Sequence, residues 1–148
     1  MNEKLESLLA TLIIAHANFR TVHWMSVGHK FDRQHSLAAD YESMVDESID
    51  AVAEMLLRGQ KSVPTIVDAP SKSSLQVIDG TQSINYAAFN TIITVQLKGI
   101  LTSIATVLKD NTLQNDIRFV GIKADLEGMF GKYDLQLRYL HAHRIQEV

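Results

Sequence analysis

Residues 23–35 read HWMSVGHKFDRQH. A histidine stands at each end, a tryptophan follows the first, and Gly28 lies near the middle. The stretch separates two segments of helical periodicity. Before it, Leu5, Leu8, Leu9, Leu12, Ile13, His16, Phe19 and His23 recur at three- and four-residue steps. After it, Leu37, Tyr41, Val45, Ser48, Val52 and Leu56 run along one stripe until Gly59. Gly28 therefore reads as part of a turn between two helices, with Asp32 as the N-cap of the second.

Further along, residues 60–83 hold both prolines and many Ser, Thr, Asp and Gln, and read as a long crossover with no helix of its own. A third helix is expected over Ile84–Lys109. KDNT, residues 109–112, is a turn, and a fourth helix runs from Leu113 to His143, weakened by Gly121, Gly128 and Gly131. Short, long and short connections among four helices give the connectivity of an all-α, ferritin-like bundle with one long crossover between helices 2 and 3, beside the blander reading of a generic helical bundle. No repeat or composition break divides the chain, so residues 1–148 are expected to form a single domain.

Composition narrows the chemistry. Hydrophobic residues make up 46% of the sequence, enough for a real core. The absence of cysteine removes disulfides, thiolate metal sites and cysteine nucleophiles. The net charge of −3, with basic residues scattered, leaves no linear nucleic-acid patch. LLATLIIA, taken as the longest apolar run, falls far short of the ~20 residues that span a bilayer. Glu3 and Glu6 occupy the place of a basic signal-peptide region, so a cytoplasmic location is expected. No G-x-S-x-G, Walker A, G-x-G-x-x-G or H-E-x-x-H motif occurs. Nor is any Glu followed three residues later by His, so the usual di-iron site inside one bundle cannot be built.

Read alone, His23 on an apolar stripe suits a hydrogen-bonded core residue, and His35 a solvated or capping one. The acids Glu42, Asp46, Asp50 and Glu54 step by four and suit a wet helix face. Asp50 and Glu54, however, lie in DAVAEML, where apolar neighbours begin, and an i,i+4 carboxylate pair can converge on one cation. His35 and Asp50 are fifteen residues apart on one helix, about 22 Å at helical rise, and cannot share an ion within one chain. Two copies of the helix packed antiparallel about a two-fold axis would bring His35 of one to Asp50 and Glu54 of the other.

These residues carry a resemblance. HWMSVGHKFDRQH, followed by DAVAE, resembles the mini-ferritins of the Dps family (DNA-binding protein from starved cells). The matching positions are His23, Trp24, Gly28, Phe31, His35, Asp50, Ala53 and Glu54, within roughly residues 12–59. Beyond the crossover the likeness is weaker, and Tyr133 and Leu135 stand where the family usually has His and Trp. The resemblance implies a four-helix subunit, a hollow homo-oligomeric shell of twelve subunits built from two-fold dimers, and ferroxidase sites shared across each two-fold. It implies His23 and His35 as metal ligands and catalytic residues from one subunit, and Asp50 and Glu54 in the same roles from its mate. Trp24 would donate electrons beside the site.

Three departures bear on that expectation. The family often has an Asp four residues after the second histidine, where this chain has Ala39, which leaves the site one carboxylate short. The Arg that usually follows the Glu is Met55. The lysine-rich tail some members use on DNA is missing, so DNA binding is expected to be weak or absent.

The expected activity is oxidation of Fe²⁺ by H₂O₂ or O₂ with storage of ferric mineral, protecting against iron and peroxide stress. The mixed N/O ligand set also suits Zn or Mn. Asp116, near the start of the fourth helix, is the candidate for lining an iron-entry pore, although a helix-start acid favoured by the dipole reads the same way. The alternatives are a shell that protects DNA with little ferroxidase activity, and a dimer with a structural role.

Overall fold

The computed structural model describes residues 1–60 and 62–146. Helix α1 spans Asn2–Met25, α2 Phe31–Leu57, α3 Ala69–Lys72, α4 Tyr86–Leu108, α5 Asn111–Asn115 and α6 Val120–Gln146, with a 3₁₀ turn at Ile117–Phe119. No strand occurs among the described residues, only an isolated parallel bridge between Ser26 and Ile84. Helix α1 packs on α2 and α4, and α4 on α6. The architecture is the all-α, ferritin-like four-helix bundle, with its long crossover between α2 and α4.

The core follows the periodic stripes. Leu5, Leu8, Leu12, Phe19 and Val22 of α1 are fully buried, as are Val45, Val52 and Leu56 of α2. Phe89, Ile93, Leu97, Ile100, Ile104 and Val107 form the matching stripe of α4. By length and mean hydropathy α4 alone among the described helices would cross a bilayer, a segment the search for unbroken apolar runs passed over. In this fold its stripe is taken up by the bundle. Ser48 and the buried Tyr133 hydroxyl, 2.7 Å apart, link α2 to α6.

The reversal between α1 and α2 is tight. Gly28 adopts φ +105°, a conformation other L-residues rarely reach, and Phe31 N–H donates to its carbonyl at 3.1 Å. That bond opens α2 at Phe31, earlier than an Asp32 cap would allow. Lys30 is the N-cap residue, no side chain caps the helix, and Asp32 lies within the first turn. The far end of the crossover is fastened here too: Val27 N–H donates to Ile84 O at 2.9 Å and Ile84 N–H to Met25 O at 2.8 Å.

Three other boundaries depart from the sequence reading. The crossover does contain a helix, α3, because Pro70 sits in its first turn, where a missing N–H is harmless. Helix α4 starts after Asn85, whose side chain accepts from Ala88 N–H at 2.9 Å, while Ile84 is committed to its bridge. The last helix does not run unbroken from Leu113. Asp110 caps α5 and Asp116 caps the 3₁₀ turn, so two side chains restart the chain before α6 begins. Gly121, Gly128 and Gly131 all lie inside α6 on its open side.

Polar anchors hold the crossover across α1 and α4. The Asn18 amide, fully buried, donates to Gln76 O at 2.9 Å and to Gln96 Oε1 at 2.8 Å, and accepts from Ile78 N–H at 3.0 Å. Leu75 seats directly on Gly99, where an added Cβ would meet its Cδ2 at 2.5 Å and Cγ at 2.9 Å. Gly99→Ala should therefore destabilise the fold by about 1–3 kcal/mol through overpacking. Most of that cost should vanish in a Leu75→Ala background, and denaturant titration of the four proteins of the cycle checks the coupling.

Asp110 ties the α4–α5 corner to the start of α1. Lys4 Nζ lies 2.9 Å from its carboxylate, and this bond, with those from Leu113 and Thr112 N–H, holds the carboxyl well below the usual carboxylate range. A depressed folded-state value gives stability that is present above the unfolded value and lost as pH falls towards the folded one. Asp110→Asn should be less stable than the parent at neutral pH, and the gap should close as pH drops from about 4. A gap that stays constant down to about pH 2 in urea titrations would contradict this.

Candidate metal centre

Because only residues 26–30 separate α1 from α2, the last turn of α1 faces the first turns of α2. His23 and His35 meet there, with ring centroids 3.9 Å apart and planes at 87°. Their Nε2 atoms are 3.0 Å apart. His23 Nδ1 lies 2.9 Å from Glu42 Oε1, and His35 Nδ1 lies 3.2 Å from the His23 carbonyl oxygen. Arg20 Nε stands 3.4 Å from the other Glu42 oxygen, and its guanidinium lies 5.6 Å from the centre of the Trp24 ring. Phe31 lies against His35 at 5.2 Å between centroids.

Protonation follows from the partners. A carboxylate and a backbone carbonyl accept hydrogen bonds, so the tautomer that satisfies both contacts carries its proton on Nδ1 of each ring. A neutral imidazole with its proton on Nδ1 presents a bare lone pair at Nε2. Two such lone pairs confront each other at 3.0 Å. That arrangement is satisfied by a positive centre between the rings, a shared proton or a metal ion, or by one ring moving its proton to Nε2 and donating to the other. An ion about 2.1 Å from each nitrogen would subtend about 90°, so a tetrahedral site would need the rings to part to about 3.4 Å.

Of the expected site residues, the fold brings together His23 and His35 alone. Asp50 and Glu54 are exposed on α2, and no three His, Asp or Glu side chains among the described residues are placed to hold one ion. Trp24 is beside the histidines and 68% exposed. Asp116 caps the 3₁₀ turn, and its carboxylate is taken by Arg118 at 2.6 Å, which lowers its pKa. A groove of about 450 Å³ between α2 and α6, lined by Met44, Glu47, Met129 and Lys132 among others, contains no histidine.

Glu42 is the participant that sequence reasoning passed over as part of a wet face. Its side chain is only 14% exposed. The available signal was spacing: positions 35, 39 and 42 fall on one helix face, so a carboxylate absent at Ala39 recurs one turn on. One turn further along the same seam, His16 Nε2 and Asp46 Oδ1 are 3.9 Å apart.

No family model matches this sequence, nor does any curated protein. Solved structures do match. The Dps of Listeria monocytogenes superposes with TM-score 0.86 at 20% identity, covering 96% of this chain and 91% of that one. Helicobacter cinaedi CAIP gives 0.85 at 16% identity over 96% and 97%. The Vibrio cholerae Dps, described as a member of a broad superfamily of ferritin-like diiron-carboxylate proteins, gives 0.84 at 18% over 95% and 86%. The bundle is therefore that of the Dps structures over nearly its whole length.

If the histidine pair holds a metal, Zn²⁺ should raise the melting temperature. A concentration one hundred times Kd adds about 2.7 kcal/mol of stability. His23→Ala and His35→Ala should each fold yet lose most of that shift in differential scanning fluorimetry.

Proposed function

We propose that the chain is a Dps-type mini-ferritin subunit that oxidises Fe²⁺ and keeps the ferric product inside a shell. The observation that carries this reading is the 3.0 Å approach of Nε2 of His23 and Nε2 of His35, with Nδ1 of each ring facing a hydrogen-bond acceptor. The fold shared with Dps structures and the motif at residues 23–35 point the same way.

In this reading Fe²⁺ is the substrate. His23 and His35 supply neutral nitrogen donors, and Asp50 and Glu54 of the partner subunit supply negative charge across a two-fold contact. Those carboxylates sit on the exposed side of α2, where a second copy would cover them. Peroxide takes one electron from each of two Fe²⁺ ions, its O–O bond breaks, and with two protons, released as ferric ion hydrolyses, two water molecules form. Dioxygen accepts four electrons from four ions to the same end. Trp24, next to His23 in sequence, would lend an electron. Ferric ion hydrolyses and mineralises within the shell, and Asp116 lines its entry path. Zn²⁺ and Mn²⁺ compete for the same donors. DNA binding is weak, because the chain carries net charge −3 and no basic run. A shell or dimer with a protective, non-oxidising role is the second reading, favoured by the alanine at position 39.

The test uses two double variants, His23→Ala with His35→Ala, and Asp50→Asn with Glu54→Gln. Each alone should assemble but oxidise Fe²⁺ slowly. Co-assembled in equal amounts they should recover up to roughly a quarter of the parent sites, since half the dimers are mixed and half of their sites are whole. Mixing that restores nothing would show that the ligands are not shared. Particles of about 200 kDa, twelve 16.6 kDa chains, are expected in light scattering, whereas the dimer reading requires a sixth of that.

A further inference from the structure

We infer that Glu42 is the positioning residue of the histidine pair: through its bond to Nδ1 it fixes the tautomer of His23, so that Nε2 meets the metal as a bare donor. The inference rests on the metal-centre reading above and assigns to it a residue outside the expected ligand set.

Several observations converge. Glu42 Oε1 is 2.9 Å from His23 Nδ1, on the side of the ring opposite His35. The carboxylate is largely enclosed, at 14% exposure, against 24% for His23. Its second oxygen faces Arg20 Nε at 3.4 Å, so it is held from both ends. Arg20 in turn lies over Trp24. A chain of contacts thus runs from Trp24 through Arg20 and Glu42 to the ring that faces the metal position.

The two histidines differ in how firmly their protons are placed. Nδ1 of His35 faces a neutral backbone carbonyl at 3.2 Å, while Nδ1 of His23 faces a carboxylate at 2.9 Å. Charge-assisted hydrogen bonds are roughly twice as strong as neutral ones. In the metal-free protein the facing lone pairs repel, and His35 is the ring that gives way. His23 keeps its proton on Nδ1. A carboxylate bonded to the far nitrogen of a ligating imidazole also makes the near nitrogen more basic. Glu42 thereby offsets the carboxylate absent at Ala39, from behind the ring instead of at the metal.

The test needs the full chain and two readouts. The first is solid-state NMR of the metal-free protein labelled with ¹⁵N-histidine, at about pH 9, above ordinary imidazole titration. His23 signals are assigned by their loss in His23→Gln. The parent should show Nδ1 protonated and Nε2 bare at His23. Glu42→Gln should show both tautomers, since the amide can offer its oxygen to a protonated Nδ1 or its NH₂ to a bare one. The second is calorimetric titration with Zn²⁺, which needs no redox chemistry. Glu42→Gln and Glu42→Ala should bind roughly 10–100-fold more weakly than the parent, the usual effect of removing such a partner. Melting temperature and particle size serve as folding controls.

A parent with its His23 proton on Nε2, or variants that bind Zn²⁺ as tightly as the parent, would overturn the role of Glu42. A parent that binds no Zn²⁺ while His23 stays protonated on Nδ1 would remove the metal-centre reading and leave the orientation by Glu42 standing.

Discussion

Three backbone hydrogen bonds hold the reversal between α1 and α2: Phe31 N–H to Gly28 O, Val27 N–H to Ile84 O, and Ile84 N–H to Met25 O. They fix where α1 stops, where α2 starts, and where the crossover returns before α4. With the reversal confined to residues 26–30, His23 and His35 have no choice but to face one another. A side chain at Gly28, with φ at +105°, would strain this turn and move one ring relative to the other. The chemistry of the pair therefore depends on the glycine midway between the histidines more than on either helix.

Local signals made much of this legible. Most of the stripes Leu5 to His23 and Leu37 to Leu56 are buried faces of α1 and α2, with Ile13, His16, His23 and Leu37 at their margins, because a bundle buries one side of each helix. The His-Trp and Gly spacing located the turn. Other features were hidden for physical reasons. Helix α3 is one turn long, and its proline looked like a breaker although it occupies a first-turn position. The break before α6 depends on which backbone N–H groups Asp110 and Asp116 accept from, and a sequence does not specify that choice. Glu42 was hidden because a four-residue step of acids reads as solvated. Its partner lies on another helix, nineteen positions earlier.

Exposure divides the site in two. His23 and Glu42 are mostly enclosed by their own chain, whereas His35, Asp50 and Glu54 lie open on α2. One half of the centre is thus organised within the subunit, with Arg20 and Glu42 holding His23. Asp50 and Glu54 meet neither histidine within the chain, and under the proposed function they would meet those of a second copy. Under the proposed function such a division would couple metal capture to assembly. It also separates the two roles of α2: buried residues such as Val45 and Val52 stabilise the bundle, and the acids facing out are free to serve chemistry.

The central claim is that a metal ion occupies the space between the two imidazoles and is completed by a second copy of the chain. Anomalous X-ray diffraction from crystals soaked in Zn²⁺ tests it most directly. The account predicts an anomalous peak about 2.0–2.2 Å from Nε2 of both His23 and His35, with a carboxylate oxygen of Asp50 or Glu54 from a neighbouring copy at similar distance. Density that leaves the histidine pair empty, or a metal whose ligands all come from one chain, would contradict it.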